Sequence, residues 1–130
     1  MATRNTAPEG LLLVDKPVGP TSHDIVARVR RLTGQRRIGH SGTLDPMASG
    51  LLPLVLGRAT RLVRFLPHEP KVYHGLLRLG LTTTTDDITG DVLARHEGEP
   101  PSPERVREAA GTLLGRISQV TPRFSARKVG

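Results

Sequence analysis

Only three aromatic side chains, Phe65, Tyr73 and Phe124, stand among 130 residues, and that shortage limits the possible folds more than any other feature. Aromatic rings usually supply the largest single pieces of buried area, so a core here must be assembled from Leu, Val and Ile. A chain of this length makes one domain at most and buries roughly two-thirds of its unfolded surface. A modest margin of stability is expected.

The apolar residues fall in short runs with distinct periods. Residues 1–9 are polar and expected to form a disordered N-terminal extension. Leu11 to Val14 suit a short buried strand, closed by Lys16-Pro17-Val18-Gly19-Pro20. Thr21 with Asp24 three residues on makes a capping signal; Ile25, Val26, Val29 and Leu32 share one helical face, and Gly34 ends it. Gly50 to Gly57 is apolar but contains Pro53, so it reads as either a strand edge or a helix end. Ala59 to Leu66 has helical spacing that leaves Arg61 and Arg64 outside. Val72 to Leu79 and Asp91 to Arg95 read as strands joined by the polar Thr82–Asp87 loop. Ser102, with Pro103 at the first helical position, opens a second helix carrying Val106, Ala109, Ala110, Leu113 and Leu114. Strands alternating with helices and irregular loops predict a mixed α/β or α+β architecture.

Charge points to the partner. The chain carries 19 Lys+Arg against 12 Asp+Glu, and residues 1–65 hold ten basic and four acidic groups against nine and eight in the remainder. Such an asymmetric positive field suits a partner bearing phosphates. Arginine outnumbers lysine sixteen to three, which favours bidentate phosphate contacts. With no cysteine, disulfides, thiolate chemistry and cysteine-bound zinc are excluded. No stretch reaches a membrane-spanning length, and a soluble, cytoplasmic protein is expected.

Chemistry concentrates in Arg37-Ile38-Gly39-His40-Ser41-Gly42-Thr43-Leu44-Asp45-Pro46. Gly39 and Gly42 allow positive φ or close approach of a ligand, and Pro46 biases Asp45 toward extended backbone. One fixed aspartate beside Arg36, Arg37 and His40 suits a nucleophile or base working on a polyanion, with the cations favouring the ionised carboxylate. A plain Asx turn is the competing reading of the Asp45-Pro46 pair.

The loop and its flanks resemble the TruB family of pseudouridine synthases. Gly10 to Pro17 with Gly19, Thr21 and Ser22 is similar to that family's first motif, and Gly39 to Pro46 to its catalytic motif. Gly50 to Leu52, Gly57 to Arg61, Lys71 to Tyr73, Leu79-Gly80, Thr83 to Asp87 and Gly90 follow in register, and Pro122 to Gly130 is similar to a Pro-x-Tyr-Ser-Ala-x-Lys segment, with Phe124 in place of tyrosine. The resemblance implies an α+β pseudouridine synthase fold around a central, mostly antiparallel sheet, with residues 10–130 as the N-terminal portion of the catalytic domain. The sheet would be incomplete and would leave apolar patches exposed.

The same resemblance implies isomerisation of uridine to pseudouridine at position 55 in the T-loop of tRNA, without cofactor or metal. Asp45 would be the essential carboxylate, attacking the sugar or base or assisting glycal formation. Tyr73 would stack on the uracil, and His40 would fill space left by everted bases. Lys16 would support the loop or a phosphate, Asp87 would pair with an arginine near the nucleophile, and Arg37 would bind RNA beside the loop. The tRNA T-stem loop is the implied partner, together with a missing C-terminal half of the domain. The alternative is a catalytically inactive RNA-binding fragment of the same family.

Other chemistries find little support. The glycines form no Gly-x-x-x-x-Gly-Lys-Ser/Thr phosphate loop. His23, His40, His68, His74 and His96 lack the close helical spacing of a zinc protease. Ser41 and His40 are adjacent, an arrangement that seldom makes a nucleophile and base.

Overall fold

The computed structural model describes residues 7–66 and 70–120. The element order is β1 (Gly10–Lys16), α1 (Ser22–Thr33), β2 (Ile38–His40), β3 (Gly50–Leu56), a 3₁₀ helix (Gly57–Phe65), β4 (Leu81–Thr83), β5 (Val92–Arg95) and α2 (Pro103–Gly111). The chain divides into two compact units, Met1–Tyr73 and His74–Gly130.

In the first unit a three-stranded antiparallel sheet runs in the order β1-β3-β2, with Leu12 opposite Leu54 and His40 opposite Leu54 from the other side. Strand residues alternate between faces. Leu52, Leu54 and Leu56 therefore point one way, and they bury with Ile38 against Ile25, Val26 and Val29 of α1. Val14 and Leu44 pack on this cluster. The core is aliphatic throughout, as the scarcity of aromatics requires. On the opposite face Val55 is buried, but Leu11, Leu13 and Leu51 are 55, 59 and 63 % exposed. The expected strand at Leu11–Val14 forms, but it is not buried, because β3 covers one of its edges and α1 only one of its faces.

Helix α1 starts as its sequence predicts. Asp24 N donates to Thr21 Oγ1 at 3.1 Å while Thr21 N and Oγ1 donate to Asp24 Oδ2 at 2.9 and 2.7 Å, closing a capping box. Gly34 ends the helix at φ 66°, where its N–H reaches Arg30 O, a left-handed position suited to glycine. Leu32, expected on the buried face, is 77 % exposed, since the last turn lies beyond the cluster. The Thr21 side-chain and backbone hydrogen bonds hold the Asp24 carboxyl below its ordinary value of 3.8. A carboxyl lowered on folding contributes stability that is present above the unfolded value and lost as pH falls through the folded one. In urea titrations followed by circular dichroism, the parent should therefore lose stability below about pH 3.8 more steeply than Asp24→Asn.

Pro53 resolves the ambiguous segment. Gly50–Leu56 is the central strand, a place where proline is rare because it lacks an N–H for the ladder. In an antiparallel strand each residue turns its N–H and C=O toward the same neighbour. Ser41 N donates to Pro53 O at 3.0 Å, so the missing donor faces the end of β2, and β2 stops at His40. The Ala59–Leu66 helix is present as a 3₁₀ helix over Gly57–Phe65, with the Arg64 guanidinium 4.8 Å from the Phe65 ring centre.

Pro8 and Glu9 contact other segments of the first unit. Gln35 Nε2 donates to Pro8 O at 3.2 Å, and Arg58 Nε pairs with Glu9 Oε2 at 3.0 Å.

In the second unit β4 pairs with β5 antiparallel, with a register shift between Thr82 and Thr83. The strand expected over Val72–Leu79 is absent: these residues are exposed and have no regular structure. None of the described strands pairs with them, and β5 takes Leu81–Thr83 instead. Helix α2 forms with Ser102 Oγ accepting from Arg105 N; it ends at Gly111, so Leu113 and Leu114 fall in the turns that follow. The Phe124 motif lies outside the described residues. Among the described residues no helix is long and apolar enough to cross a membrane.

Candidate active site

The connection between β2 and β3, residues 41–49, carries Asp45. Gly42 takes φ 95°, a conformation open to glycine and strained for other residues. His40, at the end of β2, hydrogen-bonds through Nδ1 to Gly42 O. A carbonyl only accepts, so Nδ1 is the donor in this contact. The His23 ring meets the His40 ring edge to face, with centroids 5.8 Å apart.

The backbone around Asp45 is held at both sides. The Ser22 hydroxyl donates to Leu44 O at 3.1 Å and accepts from Leu44 N at 3.0 Å, while Gly19 N donates to Pro46 O at 2.7 Å. Ala48 N donates to Asp45 O at 3.0 Å, so Asp45 to Ala48 form a β-turn with proline at its second position, the place that suits its fixed φ. The turn reading of Asp45-Pro46 is thus correct for the backbone and leaves the side chain uncommitted. The residue is exposed, and among the described residues its carboxylate makes no hydrogen bond or ion pair. Arg36 and Arg37 are exposed and lie in neither of the two described ion pairs. Arg37 acts here through its backbone, with N donating to Gln35 Oε1 and O accepting from Gly57 N.

Lys16 is fully buried, and its ammonium donates to Pro17 O at 2.9 Å and Pro20 O at 2.8 Å. It braces the connection between β1 and α1, the same segment whose Gly19 and the adjoining Ser22 hold the Asp45 loop. Hydrogen bonds from a charged donor contribute more than neutral ones, and unmatched buried acceptors are costly. Lys16→Met, which keeps the stem and removes the ammonium, should lower unfolding free energy by about 2 kcal/mol in urea titration.

Tyr73 is exposed in a segment without regular structure. Asp87 belongs to the second unit, in the connection between β4 and β5. Its Oδ1 accepts from Thr89 Oγ1 at 2.6 Å, Thr85 Oγ1 at 2.7 Å and Thr89 N at 2.8 Å. The Thr89 and Thr85 hydroxyls hold its carboxyl below the usual range. Thr83 Oγ1 donates to Asp87 O, and Asp86 takes φ 59°, so Asp87 organises its own loop.

Asp45 and Lys16 are thus linked through the β1–α1 connection, and His40 meets the helix that follows it at His23. Sequence reasoning missed Ser22 and Gly19 as parts of this linkage. Ser22 sits next to the capping Thr21 and gives no local signal of a contact to a residue 22 positions away. No group of His, Asp or Glu among the described residues could hold a metal ion.

Residues 30–130 match the TruB family pseudouridylate synthase N-terminal domain. The chain is 54 % identical over 118 residues to tRNA pseudouridine synthase B of Gloeobacter violaceus, covering 91 % of this chain and 40 % of that one. Against the protein of the same name from Thermobifida fusca it is 51 % identical over 121 residues, covering 93 % and 41 %. The chain thus spans about 40 % of the length of these curated relatives. Among solved structures it resembles a chain of a Cbf5-Nop10-Gar1 complex, with 30 % identity, TM-score 0.60 and coverage of 92 % and 31 %. An archaeal box H/ACA sRNP Nop10-Cbf5 complex matches at 26 % identity, TM-score 0.55 and coverage of 92 % and 38 %. The fold is α+β, an incomplete pseudouridine synthase fold.

Proposed function

The chain belongs to the TruB family of pseudouridylate synthases, and from that premise we propose that it carries the catalytic carboxylate for isomerising uridine to pseudouridine at position 55 in the T-loop of tRNA. The observation that carries this reading is Asp45: an exposed acid on a loop whose backbone is fastened on both sides while its side chain stays uncommitted. Such an acid meets a substrate without first breaking contacts of its own. The relatives called tRNA pseudouridine synthase B make tRNA the substrate of choice.

The reaction breaks the N1–C1′ bond of uridine, turns the base and forms a C5–C1′ bond; the C5 hydrogen leaves as a proton and N1 gains one. Atoms and oxidation state balance, so the reaction needs neither cofactor nor metal. The Asp45 carboxylate supplies the negative group that acts at the sugar or base as the N1 bond breaks. The target base has to leave its stack, at a cost of a few kcal/mol. His40 fills the space vacated in the RNA, and Tyr73 stacks on the displaced uracil. Arg37 contacts RNA phosphate beside the loop. Lys16 acts on the loop from inside the protein. Asp87 orders the connection between β4 and β5 through Thr85 and Thr89.

The test is incubation of the full-length polypeptide carrying this sequence with tRNA labelled with tritium at C5 of uridine. Release of tritium in proportion to one uridine per tRNA is the expected result. Salt-sensitive tRNA binding without release would replace this reading with that of an inactive RNA-binding relative.

A further inference from the structure

The fastening of the Asp45 loop has a consequence for turnover that rests on the reading of Asp45 as the catalytic carboxylate. Ser22 is 2 % exposed, and its one hydroxyl meets both peptide groups of Leu44, the residue before Asp45. On the far side, Gly19 holds Pro46 O. Gly19 lies in the connection into α1 that Lys16 braces from within, and Ser22 opens the helix itself. Among the described residues the Asp45 side chain has no partner of its own, so the place of its carboxylate is inherited from the peptides on either side.

We propose that Ser22 is a positioning residue for Asp45: its hydroxyl fixes the Leu44 peptide, and through it the bearing of the carboxylate on the target uridine. The Leu44 side chain is separately packed against the core cluster. Removing the Ser22 hydroxyl therefore leaves the loop docked while freeing the peptide to turn. The effect falls on the chemical step and spares RNA binding. A displacement of about 1 Å at a reacting group costs on the order of 10²-fold in rate.

Three variants of the full-length polypeptide separate positioning from folding: Ser22→Ala, and the near-isosteric pair Ser22→Thr and Ser22→Val, which differ by a hydroxyl. Turnover is read as tritium release from C5-labelled tRNA, affinity as tRNA binding, and folding as thermal unfolding by circular dichroism. Ser22→Ala and Ser22→Val are expected to lose about 10²-fold in kcat with KM and tRNA affinity within about threefold, and Ser22→Thr to recover kcat to within about fivefold of the parent. A folded Ser22→Val that keeps parental kcat overturns the proposal, as does a Ser22→Thr no faster than Ser22→Val. Failure of both Ser22→Ala and Ser22→Val to fold assigns Ser22 to stability and likewise overturns it. Asp45→Asn run alongside keeps the two readings apart. If Asp45→Asn is inactive while Ser22→Val is not, only the positioning role falls; if Asp45→Asn is fully active, the reading of Asp45 falls and the role of Ser22 with it.

Discussion

Asp45→Asn is expected to reduce tritium release from tRNA by at least about 10³-fold while changing tRNA affinity by no more than about twofold. Asparagine keeps the size and planarity of the side chain but supplies neither a nucleophilic oxygen nor a base. Because the Asp45 carboxylate has no partner among the described residues, its replacement breaks no contact that holds the loop. The Ser22, Gly19 and Ala48 hydrogen bonds all engage backbone and survive the change. A loss of turnover therefore reports chemistry alone. Parental turnover in the variant, measured on folded protein, would remove Asp45 from the mechanism.

Leu54→Ala is expected to destabilise the chain by about 3 kcal/mol, measured as a lowered midpoint in urea at unchanged slope. Leu54 is completely buried, sits in the central strand and joins the cluster with α1. It is also flanked by Leu12 on one neighbour strand and His40 on the other, so relaxation into the cavity would drag the active-site strand. With an aliphatic core this small, such a loss is a large part of the typical stability of about 5–15 kcal/mol. Leu13→Ala, exposed on the opposite face of the same sheet, serves as the comparison and should cost less than about 0.5 kcal/mol. Equal effects of the two would place the core elsewhere.

Local chemistry was readable wherever it decided the structure. The Thr21–Asp24 capping box and Gly34 end α1 through contacts within a few residues, and Ser102 with Pro103 starts α2 in the same way. Pairing was harder. Pro53 argued against a central strand because its tolerance depends on where β2 stops, a fact belonging to another segment. Val72–Leu79 is apolar enough for a strand, but a strand requires a neighbour to share its hydrogen bonds, and that cannot be seen in one run of residues. Leu11 and Leu13 look like core on hydropathy and are exposed because α1 lies against the other face. For the site, residue types and spacing pointed to the Asp45 loop, whereas the hydroxyl that fastens it appears only when Ser22 and Leu44 are brought together in space.

Pro53 has a wider effect than its place in one strand suggests. Since its ring nitrogen has no proton to offer Ser41, the zipper between β2 and β3 halts at a fixed tooth, and the span released beyond it has a set length of nine residues, 41–49. An amide-bearing residue at 53 would let the zipper run one tooth further, shortening the slack from which the Asp45 turn is made. The reach of the acid is thus metered by an absent hydrogen on the strand across from it.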